Sequence, residues 1–311
     1  MKKAFLQLHL AIFLAGFTGV LGRLITLNEG LLVWYRLLIS SVSMWILFSL
    51  TKKLQKISFR DVLKLSGIGF ITALHWIGFY GSIKYANISV GLVCFSSIGF
   101  FTALLEPLIL RKKINFIEVA LGLIVIGGIY IIFHFDPQYE IGIILGVISA
   151  VLLAFVMIII RQFVQRINAE TLLTYQLSGG LITLSFFMPF YLNRFPTNYI
   201  FPDFKDWVWL LILAWFCSVW AFQLSVNALK KVSAFTVNLS YNLEPVYGIL
   251  LAFVVYKENK ELTPGFFIGL ILIVLAVGLQ MLRVWYLAKQ ERKQAIAKSL
   301  NLEKYPASIQ N

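Results

Sequence analysis

Ten runs of predominantly apolar residues, each close to 20 residues long, follow one another through this chain with only short polar connections between them. A run of that length crosses about 30 Å of hydrocarbon as an α-helix. Inside hydrocarbon only a helix or a closed barrel satisfies its own backbone hydrogen bonds. The expected spans are 4–25, 31–51, 62–83, 88–110, 116–134, 141–161, 171–192, 207–228, 234–256 and 264–287. The longest connection, NRFPTNYIFPDFKD, is too short for an extramembrane domain. Composition agrees, since 59% hydrophobic and 13% charged residues leave too little polar surface to cover a water-soluble globule of 311 residues. The reading is an all-α integral membrane protein with ten transmembrane helices.

The formal charge of +13 excludes a nucleic-acid partner on its distribution, because the basic residues form short clusters between apolar runs and no continuous stripe. Lys and Arg resist translocation and accumulate on the cytoplasmic side. With the N-terminus inside, 20 of the 27 Lys and Arg fall on the cytoplasmic face and six on the other, and Arg36 lies within the membrane. Ten spans return the basic tail KQERKQAIAK to the inside. The expected location is the plasma (inner) membrane, multi-pass, with both termini cytoplasmic. Lys2 and Lys3 before an apolar stretch resemble a signal peptide, but Arg23 follows directly with no small-residue cleavage site, so the segment reads as an uncleaved first helix. Cys94 and Cys217 both lie inside apolar runs, and neither a metal cluster, a disulfide nor a cofactor is expected.

The two halves of the chain match weakly. Tyr35 pairs with Tyr175, Asp61 with Asp206, which sets His75 opposite Trp220, Ser89 with Ser233 and Gly122 with Gly269, at offsets of 140, 145, 144 and 147. Five spans per half is an odd number, so the second half enters from the opposite side, as an inverted repeat. The expected divisions are residues 1–137 and 138–288 for the two five-helix repeats and 289–311 for a basic cytoplasmic tail. The tripeptide Leu-Glu-Pro occurs at 105–107 and 243–245, yet in this alignment the copies sit six positions apart.

In each half a span running from Ser into a Pro and a charged loop (ISVGLVCFSSIGFFTALLEPLILRKK and VSAFTVNLSYNLEPVYGILLAFVVYKE) precedes a Gly-punctuated span (IEVALGLIVIGGIYIIF and GFFIGLILIVLAVGLQM). With ten spans in two halves, this resembles the EamA type of the drug/metabolite transporter superfamily. The resemblance covers nearly the whole chain. It implies a central cavity built by spans 1–4 and 6–9, with spans 5 and 10 as peripheral supports, and alternating-access movement of small organic solutes.

Polar residues inside the spans are costly and mark candidate sites. Glu244 leads. Pro245 weakens the turn before it, and Asn238, Tyr241 and Asn242 lie within two turns, which together make a polar patch for a substrate ammonium or a coupling proton. A protonated, purely structural carboxyl is the alternative. Glu106 lies beside Arg111, Lys112 and Lys113, where an interfacial salt bridge explains it. Arg36 can receive an acid group through its planar fork or snorkel outward. His75, beside Trp76 and Tyr80, can relay protons or be a satisfied core histidine. Trp220, Gln223 and Asn227 share one face of the eighth span and either line a cavity or glue helices together. Gly142-x-x-x-Gly146, Gly265-x-x-x-Gly269 and the Gly16, Gly19, Gly22 face allow close helix packing.

The leading function is a secondary transporter of small organic metabolites, amino acids or related amphipathic solutes, working in the export direction. Its partners are a small-molecule solute, a coupling proton and membrane lipid, and its oligomeric state is open. No GxxxxGK[ST] phosphate loop is present to drive transport with ATP. A membrane-embedded enzyme acting on a lipid-linked substrate is the alternative, disfavoured because His9, His75 and His134 are scattered over different spans. A structural or sensory subunit is a third class, weakened by the absence of a soluble domain.

Overall fold

The computed structural model describes residues 2–135, 137–164, 166–229, 241 and 243–304. Their regular structure is helical, joined by short loops, with no strand among them. The elements are α1 (Lys2–Leu24), α2 (Glu29–Leu50), α3 (Phe59–Tyr85), α4 (Ile88–Phe95), α5 (Ile98–Leu110), α6 (Phe116–Phe135), α7 (Glu140–Phe163), α8 (Ala169–Arg194), α9 (Phe204–Ala214), a π-helical turn (Trp215–Trp220), α10 (Ala221–Leu229), α11 (Glu244–Tyr256) and α12 (Pro264–Lys304). Among the described residues, nine helical stretches are long and apolar enough to cross a membrane, and α11 is a shorter apolar helix. Residues 234–240 and 242 of the expected ninth span lie outside the described residues.

Local sequence sets where the helices start. Asn28, Ser58, Asn87, Asn168 and Asp203 cap α2, α3, α4, α8 and α9, each side-chain oxygen accepting from the backbone N–H three residues on. Asp61 and Asp206 both stand three residues after such a cap and carry the connections of their halves. Asp206 accepts from the Thr26 N–H at 2.9 Å and the Thr26 hydroxyl at 2.8 Å. Asp61 takes a two-pronged bond from Arg166 at 2.6 and 2.8 Å, and this pairing raises the Arg166 guanidinium from its ordinary value.

The connections sort into two sets, each tied by its own hydrogen bonds. In the first, Lys84 donates to the carbonyls of Ile25 and Leu27, at 2.8 and 2.6 Å. There the fully buried Glu258, in the turn between α11 and α12, accepts from Ser89 N at 2.9 Å and Ser89 Oγ at 2.6 Å and pairs with Arg23. In the second, Asn168 Nδ2 donates to Lys53 O at 2.7 Å and Gln55 N to Thr171 Oγ1 at 2.7 Å. Glu106 pairs there with Lys112 at 2.8 Å and Arg161 at 3.4 Å, and Glu118 with Arg283 at 3.1 Å.

Three spans depart from the expected continuous helix. The fourth breaks at Ser96–Ser97 into α4 and α5, because the Ser97 hydroxyl and N–H both turn back to the Cys94 carbonyl, at 2.6 and 3.0 Å. The eighth carries the π-helical turn. In the ninth, Pro245 is the second residue of α11, where a missing N–H costs nothing. The repeated Leu-Glu-Pro therefore sits near the end of α5 and at the start of α11. The tenth span runs on without a break to Lys304, across the boundary expected at residue 288.

Helix α3 is the centre of the packing, lying against both α7 and α8, while α1 lies on α10 and α11 and α6 on α12. Glycine makes the closest crossings. A Cβ on Gly69 would stand 1.9 Å from the Gln176 carbonyl oxygen, and one on Gly180 would stand 2.7 Å from the Gly69 carbonyl oxygen. Both obstacles are backbone, so a side chain forces the helices apart. We expect Gly69→Leu to lower stability by about 3 kcal/mol or more, read as a fall in the melting temperature of the detergent-purified protein. Gly67→Ala, whose Cβ meets nothing within 4 Å, should melt like the parent.

Candidate functional site

Two features meet near the middle of the fold. The first is a buried arginine. Arg36 of α2 is 4% exposed, so it points inward and does not snorkel. Its Nη1 donates to the Tyr80 hydroxyl at 2.6 Å and its Nε to Ser218 Oγ at 3.1 Å. The guanidinium carbon lies 3.9 Å from the centre of the Trp76 ring. Ser218 reaches Arg36 from the π-helical turn, where its hydroxyl also donates to the Leu213 carbonyl, five residues back, at 3.2 Å. Arg36 is therefore held by α2, α3 and the eighth span, all through neutral groups, and no carboxylate of the described residues forms an ion pair with it. Its charge does reach Glu244 electrostatically.

His75 is 3% exposed and serves the neighbouring contact. Its Nδ1 lies 2.9 Å from the Ser149 carbonyl, an acceptor only, so Nδ1 carries the proton. Ser149 Oγ in turn donates to the His75 carbonyl at 2.9 Å, so the pair straps α3 to α7.

The second feature is a half-open cavity of about 400 Å³. Glu244, Pro245 and Tyr241 line it, as do Phe95 and Ser96 at the break, Ile98, Gly99 and Phe100 at the head of α5, and residues of α6, α7 and α12. Glu244, the first residue of α11, is half-buried and has neither an ion pair nor a hydrogen bond with a described side chain. Tyr241 shares a 2.6 Å hydrogen bond with Ser225. Because α6 and α12 supply Glu118, Leu121, Gly122, Val125, Ala276, Val277 and Gln280, the fifth and tenth spans are cavity walls and not peripheral supports alone.

The structure gathers Arg36, Trp76 and Tyr80 into one group, with His75 beside it. It separates Trp220, which is 44% exposed and packs edge-on to Phe216 at 5.4 Å. Trp220 does not mirror the buried His75, because the π-helical turn inserts one residue and rotates the remainder of the span by roughly 100°. Gln223 is half-buried in α10. Asn238 and Asn242 lie outside the described residues, as does the side chain of Asn227. Sequence reasoning missed Ser218, Ser149 and Glu258. Ser149 continues the small-residue face of Gly142 and Gly146, a signal that was available. Nothing local announces the other two.

These features define a polytopic helical membrane protein with a solute-sized cavity lined in part by a carboxylate residue. The family model for the EamA-like transporter family matches the chain twice, over residues 2–134 and 140–282. The chain belongs to the EamA-like transporter family, and the double match shows that it consists of two repeats of one unit. It is similar to an uncharacterized transporter, YetK of Bacillus subtilis (strain 168), at 25% identity over 287 residues, 87% of this chain and 84% of that protein. A solved crystal structure shares the fold with a TM-score of 0.61 at 17% identity, covering 92% of this chain and 99% of that one.

Lysine cannot reproduce the planar fork that joins Ser218, Tyr80 and Trp76. Arg36→Lys should therefore destabilise the protein by about 2 kcal/mol, measured as a lowered melting temperature in detergent. An unchanged melting temperature would show that the guanidinium contacts carry no stability.

Proposed function

We propose that this protein is a secondary carrier that moves small amphipathic organic solutes of amino-acid size out of the cell by alternating access. Glu244 carries the reading: a carboxylate at membrane depth, without a partner among the described side chains, lines a cavity of small-molecule size. In this reading Glu244 binds the solute and exchanges it for a coupling proton, and Tyr241 with the Arg36, Trp76 and Tyr80 group shapes the polar end of the path.

The ten spans form two five-helix units of opposite orientation, at 1–137 and 138–288. The double family match and the sorting of connections into two bonded sets support that arrangement. The set containing Lys53, Arg161, Arg166 and Arg283 is richer in basic residues, which supports placing it in the cytoplasm with both termini. The cavity lies in that half, between the middle of the fold and the Glu118–Arg283 pair.

Solute screening in whole cells, comparing cells that express the chain with cells carrying an empty vector, identifies cargo for reconstitution. Proteoliposomes should then accumulate it without added nucleotide, at a rate that follows an imposed pH difference. Glu244→Gln should reduce that flux at least tenfold while the variant purifies and melts like the parent. Undiminished flux would remove Glu244 from the mechanism, and product formation without net movement would favour a membrane-embedded enzyme.

A further inference from the structure

We infer that the cavity takes a protonated amine on an apolar body, with its ammonium group at Glu244, and discriminates against solutes carrying a free carboxylate. The inference rests on the carrier reading, in which this cavity is the solute site. Charge within the cavity is its first support. Among the described lining residues the only ionisable groups besides Tyr241 are Glu118 and Glu244, and no Lys or Arg lines it. Glu118 is neutralised by Arg283 and bonded by Asn115 Nδ2 at 3.0 Å. No described Lys or Arg pairs with Glu244, which feels Arg36 only from a distance, so an arriving ammonium meets an acceptor without an ion-pair partner, inside protein where charge interactions are stronger than in water.

The disposition of Arg36 is the second support. It is the one membrane-depth guanidinium that could seat a carboxylate, yet it does not line the cavity, and Ser218, Tyr80 and the face of Trp76 occupy its planar group. A free carboxylate entering the cavity therefore meets acids and, among the described residues, no exposed base. Ile98, Gly99 and Phe100, the first three residues of α5, line the cavity, and the N–H groups of that helix start have no side-chain cap. A hydroxyl, an amide carbonyl or water satisfies them, so they require no anion. The remaining wall is apolar, with Phe95, Phe100, Leu121, Val125, Met157 and Val277 placed to hold a ring or short alkyl chain.

Four probes that share a phenyl ring test this by isothermal titration of the purified full chain in detergent at pH 7: 2-phenylethylamine, phenyltrimethylammonium, phenylalanine and 3-phenylpropionate. The two cations should bind saturably and at least tenfold more tightly than phenylalanine, and 3-phenylpropionate should not bind. Glu244→Gln should abolish cation binding, while Glu106→Gln, at an interfacial acid outside the cavity, should retain it. The ranking of the four probes on the unmodified protein decides the matter even if Glu244→Gln does not fold. Tighter binding of phenylalanine or 3-phenylpropionate, or binding of none, overturns the inference. Flux is read separately with phenyltrimethylammonium, whose fixed charge prevents leakage through lipid. Cation binding without flux removes the carrier reading and leaves the ligand class standing, whereas flux of phenylalanine alone does the reverse.

Discussion

Hydrocarbon offers no hydrogen bonds, so a polar group at membrane depth must be satisfied by the protein or by a wet cavity, and this condition organises the whole fold. His75 is bonded to Ser149, Arg36 to Ser218 and Tyr80, and Gln176 Nε2 to Thr72 at 2.8 Å. Among the described residues only five buried side-chain atoms are without a partner, on Asn28, Ser40, Ser82, Asn87 and Gln176. None of the five is a charged group. Glu244 stands apart because it lines a cavity and has no hydrogen bond or ion pair with a described side chain, which is why it, and not the His75 held by Ser149, is the centre of the functional proposal.

The same condition divides the molecule into parts that are fixed and parts that are loosely held. Contacts through glycine, such as Gly69 on Gly180 and Gly128 on Gly269, bring backbones within reach of one another and leave no slack. The region of the cavity is different. It is bordered by two helix starts without side-chain caps, at Ser97 and Leu243.

Much of this is legible in the sequence, and the rest has a physical reason for being hidden. Apolar runs of membrane length mark nine of the spans because burial in lipid requires length and low charge, and both are local properties. The inward importance of Arg36, Trp76 and Tyr80 can be named because a charge in an apolar run needs company, although its actual partner, Ser218, depends on a π-helical turn that no composition encodes. Counting residues matches Trp220 to His75, and counting fails wherever a turn gains a residue. The break at Ser96–Ser97 is equally hidden: both serines suit a helix, and only their bonds back to Leu92 and Cys94 show the interruption. Glu258 looks like an ordinary loop acid because its partners, Arg23 and Ser89, are some 170 or more residues away.

The interruption also decides how its span responds to force. An unbroken helix of 23 residues from Ile88 to Leu110 would transmit a push at one end to the other as a stiff rod. Here the short N-terminal piece is anchored by Glu258 at its head, while the longer C-terminal piece leans on α6 and α7. The helix is interrupted at two serines, so a bend placed there displaces the C-terminal piece beside the cavity without pulling the anchored end from its seat.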